Sequence, residues 1–265
     1  MYYIDSLHEK NYKDISILRT SNKGYVMKAA HVSGVKVILK SFKRKHVKSY
    51  QYDEIFSKKV HLELFYLIRL NKFPFVPAFF NYCDGTHWTT IVMELLENDW
   101  IVGSNFFGHR PEESTTKIIF RNIINYVYEM AKFGFYHLDL KPSNMMINRK
   151  TLDVKFIDFE DMLYDTLPNP GTFSHAGTIS YKSPESCEGH IYKVKPSLVF
   201  NMGCILYTCL EWRMAFTSKV DTIVCKPIKT YKSSCNAKSF IKNCTYRDIN
   251  RRIKFHEMLD HPWFS

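Results

Sequence analysis

The stretch His137-Leu138-Asp139-Leu140-Lys141-Pro142-Ser143-Asn144 gathers an imidazole, a carboxylate, an amine and a carboxamide, with a proline to stiffen the turn. Downstream, Phe156-Ile157-Asp158-Phe159 places a second carboxylate at the end of an apolar run. Asp139 could accept a proton from a hydroxyl, and Lys141 could neutralise a transferring phosphoryl group. Asn144 and Asp158 offer the hard oxygen ligands that magnesium favours and shares with substrate phosphates. Together these types suit phosphoryl transfer, which demands positioning and charge neutralisation more than covalent chemistry.

The same residues resemble the catalytic loop H-R-D-x-K-P-x-N and the metal-binding D-F-G of eukaryotic-type protein kinases. The resemblance implies an α+β, two-lobed protein-kinase fold that uses ATP and magnesium. Its small β-rich N-lobe would cover about 1–94, its hinge about 94–98 and its larger helical C-lobe about 99–265. It assigns Asp139 as catalytic base, Lys141 to the γ-phosphoryl oxygens, and Asn144 with Asp158 to magnesium. Lysine two residues after the Asp resembles the serine/threonine class. So does Gly177-Thr178-Ile179-Ser180-Tyr181-Lys182-Ser183-Pro184-Glu185, similar to G-T-x-x-Y-x-A-P-E, in which Thr178 would contact both Asp139 and Lys141. Glu185 has a candidate ion-pair partner in Arg252.

Positioning these groups requires a strand-rich start and a helical remainder. Ile15 to Thr20 and Tyr25 to Val32 flank the polar turn Ser21-Asn22-Lys23-Gly24, a hairpin pattern. In Val35-Lys36-Val37-Ile38-Leu39-Lys40, alternation sets Val35, Val37 and Leu39 on one face and Lys36, Ile38 and Lys40 on the other. This run resembles the kinase V-A-I-K strand, which implies that Lys40 grips the α- and β-phosphates, with Val26 and Ile38 as further nucleotide-binding residues. Residues 52–71 read as a helix with Leu62, Phe65, Tyr66 and Leu70 at helical spacing. Glu63 on it falls where the family pairs a glutamate with the strand lysine, although Glu54 lies on the same segment. Val76 to Tyr82 and His87 to Met93 read as strands joined at Asp84-Gly85. Met93 resembles the gatekeeper, Glu94 and Leu96 the adenine-binding hinge positions, and Asp99 a ribose candidate or a solvated acid.

Pro111-Glu112-Glu113 opens the next helix, with a first-turn proline and acids toward its positive end. Ile119, Ile123, Val127 and Met130 form its apolar stripe, and Gly134 ends it. Met145-Met146-Ile147 reads as a short strand, and by resemblance Met146 packs under adenine. Cys204-Ile205-Leu206-Tyr207 continues an apolar helix, and residues 256–264 resemble the closing helix and H-P-W-F ending of kinase domains.

Several positions depart from the family. Only Gly24 is kept of the three-glycine phosphate loop, so affinity for nucleotide falls or Arg19 and Lys23 substitute charge for close approach. Ile38 stands for the usual alanine. Leu138 replaces the arginine that clamps a phosphorylated activation segment, although Thr166, Thr172 and Ser174 are available. Glu160 replaces the glycine of D-F-G, and Leu198 the helix aspartate that braces the catalytic loop. The alternative to an active kinase is therefore a catalytically impaired pseudokinase acting as a nucleotide- or partner-binding scaffold.

At 265 residues, 45% apolar and 24% charged, the composition is that of an ordinary globular protein. No apolar run approaches a membrane span and Met1-Tyr2-Tyr3-Ile4-Asp5 has no signal-peptide pattern, so an intracellular protein of cytoplasm or nucleus is expected. The cysteines form no metal or disulfide pattern. The formal charge of +11 includes the run Lys40–Lys48, read as a solvated loop before a nucleic-acid patch; direct nucleic-acid binding is not expected. Among kinases the chain resembles virus-encoded, baculovirus-type enzymes. That likeness implies action in a host cell on viral protein substrates, including a small basic DNA-packaging protein; a monomer is expected.

Overall fold

A computed structural model of the chain describes residues 11–43, 62–85, 87–167, 171–172, 176–189 and 191–265. Glu54, Ser174 and residues 44–48 of the basic run lie outside them. The chain divides into two compact units, one of residues 1–98 with 157–160, the other of 99–156 with 161–265.

The first unit is built on an antiparallel sheet of order β1-β2-β3-β5-β4. Its strands are β1 (Tyr12–Thr20), β2 (Gly24–His31), β3 (Lys36–Lys43), β4 (Phe79–Asp84) and β5 (Trp88–Glu94). Period-two alternation sends Met27, Ala29, Val37, Leu39 and Val92 into one buried cluster. Val35 precedes β3 and is half exposed, so the apolar face begins at Val37. Gly24 is required where β2 begins, because a Cβ there would lie 1.9 Å from the Ser41 carbonyl oxygen. Helix α1 occupies residues 62–70. Its buried face is Glu63, Tyr66, Leu67 and Leu70, an i, i+3, i+4, i+7 stripe that includes an acid. Phe65, expected in the stripe, points outward instead, under the Arg69 guanidinium.

The second unit is mainly helical, with α2 (Gly103–Gly108), α3 (Glu113–Lys132), α4 (Pro184–Glu188), α5 (Val194–Glu211), α6 (Lys219–Ile223) and α7 (Cys235–Cys244). A three-stranded sheet has the order β6 (Trp100–Val102), β8 (Met145–Asn148), β9 (Val154–Phe156), and β7 (Phe135–His137) pairs with β10 (Met162–Tyr164). A last pair joins β11 (Gly171–Thr172) to β12 (Tyr192–Lys193). Helix α3 buries Ile119, Ile123, Val127 and Met130 and passes through Gly134 into β7, the strand that enters the catalytic-type loop. It starts at Glu113, so Pro111 lies ahead of the first turn. Fourteen of the eighteen residues of α5 are buried, which makes it the central helix of this unit. The 256–264 segment is two 3₁₀ turns, Phe255–Asp260 and Pro262–Phe264, in place of one helix. Pro262 lacks the N–H that would continue the first turn and disfavours helix at His261.

Candidate active site

In the first unit, β3 carries Lys40 between Val26 on β2 and Ile91 on β5. Its ammonium lies 2.6 Å from Glu63 Oε1, 3.3 Å from Asp158 Oδ1 and 3.9 Å from Glu160 Oε1. Glu63 is 1% exposed, and a carboxylate so removed from water must be paired to stay charged. Burial opposes the Lys40 charge, but Glu63 and then Asp158 outweigh it and hold the lysine above its ordinary value. Burial also pushes the Glu63 carboxyl up, against the pull of Lys40. Asp158 reaches the cluster with φ +71°, a left-handed conformation that Asp tolerates better than most residues.

The turn before β2 closes through Ser21 N–H to the Gly24 carbonyl (2.9 Å). From it, Lys23 Nζ reaches Glu160 Oε2 at 2.5 Å. Glu160, Asp158 and Glu63 each offer a carboxylate oxygen within 4.8 Å of the others. Three carboxylates thus face two ammonium groups, leaving one negative charge in excess. Such an oxygen set fits a cation brought by a phosphate ligand. Ile38 pairs with Met93 across β3 and β5, and Leu96 follows the end of β5. Glu94 N–H is committed to the Ala78 carbonyl at 2.8 Å, and its carboxylate accepts the Ala78 N–H at 2.9 Å.

In the second unit, the loop from β7 to β8 contains a 3₁₀ turn, Pro142–Asn144, set by the proline at its first position. Asp139 Oδ1 accepts from the Thr178 N–H (2.7 Å) and Oγ1 (2.8 Å). Its Oδ2 accepts from Lys141 Nζ (2.6 Å) and Asn144 Nδ2 (3.1 Å). Lys141 also donates to Thr178 Oγ1 at 2.6 Å. Four donors therefore fix one carboxylate, the pre-positioning that proton abstraction needs. Both donations from Asn144 come from Nδ2, to the Asp139 side chain and carbonyl, so Oδ1 is the atom able to take a cation. Gly177 is demanded by contact, since with φ +96° a Cβ would lie 2.7 Å from the Leu138 carbonyl.

Met146 sits on β8, paired with Val102 of β6 and Lys155 of β9. Asp99 pairs with Lys150 at 3.0 Å on the surface. Arg252, 3% exposed, makes the expected pair with Glu185 (2.6 Å) and also donates to the Pro196 carbonyl (3.0 Å).

Sequence reasoning missed Asn201. With Leu198 buried and unable to hydrogen-bond, Asn201 Nδ2 donates to the Leu140 carbonyl (3.0 Å) and the Tyr181 carbonyl (3.1 Å). It ties the Asp139 loop to the segment carrying Thr178. The signal was available: 198 and 201 are three apart on one helix and share a face.

Comparison with known proteins identifies the family. The protein kinase domain model matches residues 12–264. The chain is 28% identical to the serine/threonine-protein kinase pim-2 of Danio rerio over 57% of its own length and 48% of that protein's. It is 32% identical to the protein kinase domain-containing protein ppk9 of Schizosaccharomyces pombe, covering 67% of this chain and 34% of the relative. Against the serine/threonine-protein kinase 1 of African swine fever virus, identity is 27% over 77% of this chain and 68% of the viral one. The chain thus spans about half of the zebrafish kinase and about a third of the yeast protein. It belongs to the protein kinase domain family.

Proposed function

We propose that this chain transfers the γ-phosphoryl group of ATP to serine or threonine hydroxyls of proteins. The observation that carries the reading is the four-donor clamp on Asp139 by Lys141, Asn144 and Thr178. A scaffold has no physical need for it. Magnesium–ATP, when bound, supplies the transferable group and a divalent charge that offsets the triphosphate. Asp139 orients the attacking hydroxyl and takes its proton, while Lys141 stabilises charge on the γ-phosphoryl oxygens and Thr178 fixes both. By resemblance to the family, Asn144 Oδ1 and the Asp158 carboxylate would hold the magnesium. Lys40, held by Glu63, would set the α- and β-phosphates; by resemblance Val26, Ile38, Met93 and Met146 would contact adenine, with backbone contacts from Glu94 and Leu96. Within this reading the narrower expectation is a viral kinase, acting as a monomer in the host cytoplasm or nucleus on a small basic DNA-packaging protein.

Transfer from γ-labelled ATP with magnesium to a mixed protein panel tests it. Label should appear on serine or threonine with the wild type, and fall roughly 10²–10⁴-fold with Asp139→Asn. The ATP-induced thermal shift should persist in the variant. Equal transfer by both proteins would remove Asp139 from its role. A second reading, a nucleotide-binding pseudokinase, draws on Lys23 being held by Glu160 and on Ile38 narrowing the adenine slot. It predicts the thermal shift without label in either protein.

A further inference from the structure

A cavity of about 260 Å³ opens in the helical unit between the segment leading into α5 and the segment that follows α7. None of its lining residues belongs to the Asp139 clamp. Lys193, Lys195, Lys254 and His256 line it together with the half-buried apolar side chains of Ile253 and Phe255. No lining residue is acidic. Two acids close by in sequence have local partners: Glu257 accepts the Lys254 N–H (3.2 Å) and lies 3.7 Å from the His256 ring, and Asp248 accepts the Asn250 N–H (2.9 Å).

The walls are preformed. Buried Arg252 donates to the carbonyls of Pro196 (3.0 Å), Tyr246 (2.6 Å) and Arg247 (3.2 Å) while paired with Glu185. One guanidinium therefore anchors both chain segments that line the cavity, and a ligand would meet a site needing little reordering.

We propose that this cavity docks an acidic peptide segment of a partner protein, one apolar side chain entering between Ile253 and Phe255 with flanking carboxylates on Lys193 and Lys254. Charge complementarity selects the sign of the ligand, and the apolar part of the lining favours a side chain over a bare anion. A nucleic acid fits less well, because its bases need an accessible aromatic face. The Phe255 ring is already packed edge-on against Tyr128, with centroids 4.8 Å apart. An arginine-rich chain is repelled here, so this surface serves a different partner, or a different segment, from a basic phosphoacceptor. The docking does not require phosphoryl transfer and is read by binding alone.

Fluorescence anisotropy on the whole chain tests it, with a labelled short peptide carrying one leucine among aspartates and glutamates. Probes for comparison are the same peptide with serine for leucine and a single-stranded oligonucleotide of equal charge. The leucine peptide should bind best. Lys193→Glu and Lys254→Glu should each weaken it by about tenfold or more, since like-charge contacts oppose binding. Ile253→Ser should weaken the leucine peptide and leave the serine peptide unaffected, and Lys28→Glu, an exposed change on β2, should leave binding intact. Absence of binding, an equal loss with Lys28→Glu, or tighter binding of the oligonucleotide would each overturn the proposal.

Discussion

Glu160 adds a third carboxylate to the cluster around Lys40, 3.9 Å from its ammonium. A glycine there would leave Glu63 and Asp158 against Lys40 and Lys23, a neutral set; Glu160 makes it one negative and takes Lys23 for itself at 2.5 Å. Lys23 is 43% exposed, so this pair is worth no more than about 1 kcal/mol after solvent screening. Glu160→Gln should therefore free Lys23 for anionic phosphate and tighten ATP binding roughly two- to fivefold. ATP titration of the two proteins measures this, and weaker binding by the variant would mean that Glu160 helps by ordering the turn. The residues proposed to handle phosphate and metal stood out in the sequence because that chemistry constrains both their types and their order. The partner of Glu160 was not, because it lies 137 positions away and nothing in a Gly→Glu exchange names it.

At the level of elements, α5 is apolar on nearly every face and could have been a passive core helix, yet it carries one donating side chain to the catalytic-type loop. If Asn201 positions Asp139, the hydrogen bond itself must matter. Asn201→Ala removes both donations and leaves two carbonyls short of partners, costing about 1–3 kcal/mol of stability. Asn201→Asp keeps the shape but sets acceptors against the carbonyls of Leu140 and Tyr181. Both variants should lower kcat by roughly tenfold or more with KM for ATP little changed, the aspartate at least as severely. Wild-type kcat in Asn201→Asp would reduce the residue to a space-filler. Element types were readable because period and turn chemistry agree along most of the chain. The α1 stripe was read correctly at Tyr66 and Leu70 and missed at Phe65, which is apolar yet lies under Arg69, whereas the buried Glu63 is polar. Composition alone ranks those two the wrong way round.

For the molecule as a whole, acid should be the destabilising direction, and three groups of the helical unit set where. Burial lowers the His261 imidazole below its ordinary 6.5, so the unfolded chain takes up that proton first and stability begins to fall as pH drops through 6.5. Burial pushes Glu211 up, but the Ser233 hydroxyl and the N–H groups of Tyr231, Lys232 and Ser233 pull it below 4.5. Glu113 is lowered in the same net sense, burial being outweighed by hydrogen bonds from Ser234 and Trp263. For a depressed carboxylate the stabilisation is fully present above 4.5 and is lost as pH falls through the lower folded value. Both carboxylates pin the 231–234 segment, Glu211 from the end of α5 and Glu113 from the start of α3. Protonation therefore loosens one region from two sides, while loss of carboxylate charge leaves a chain of +11 more self-repelling. Glu211→Gln should cost about 1.5–3 kcal/mol at neutral pH, the range for hydrogen bonds to a charged group. It should also flatten the fall of Tm below pH 4.5. Thermal melts of wild type and variant from pH 7 to pH 3 separate the outcomes. Parallel curves would show that Glu211 contributes packing alone, and curves that converge in acid would assign the difference to its charge.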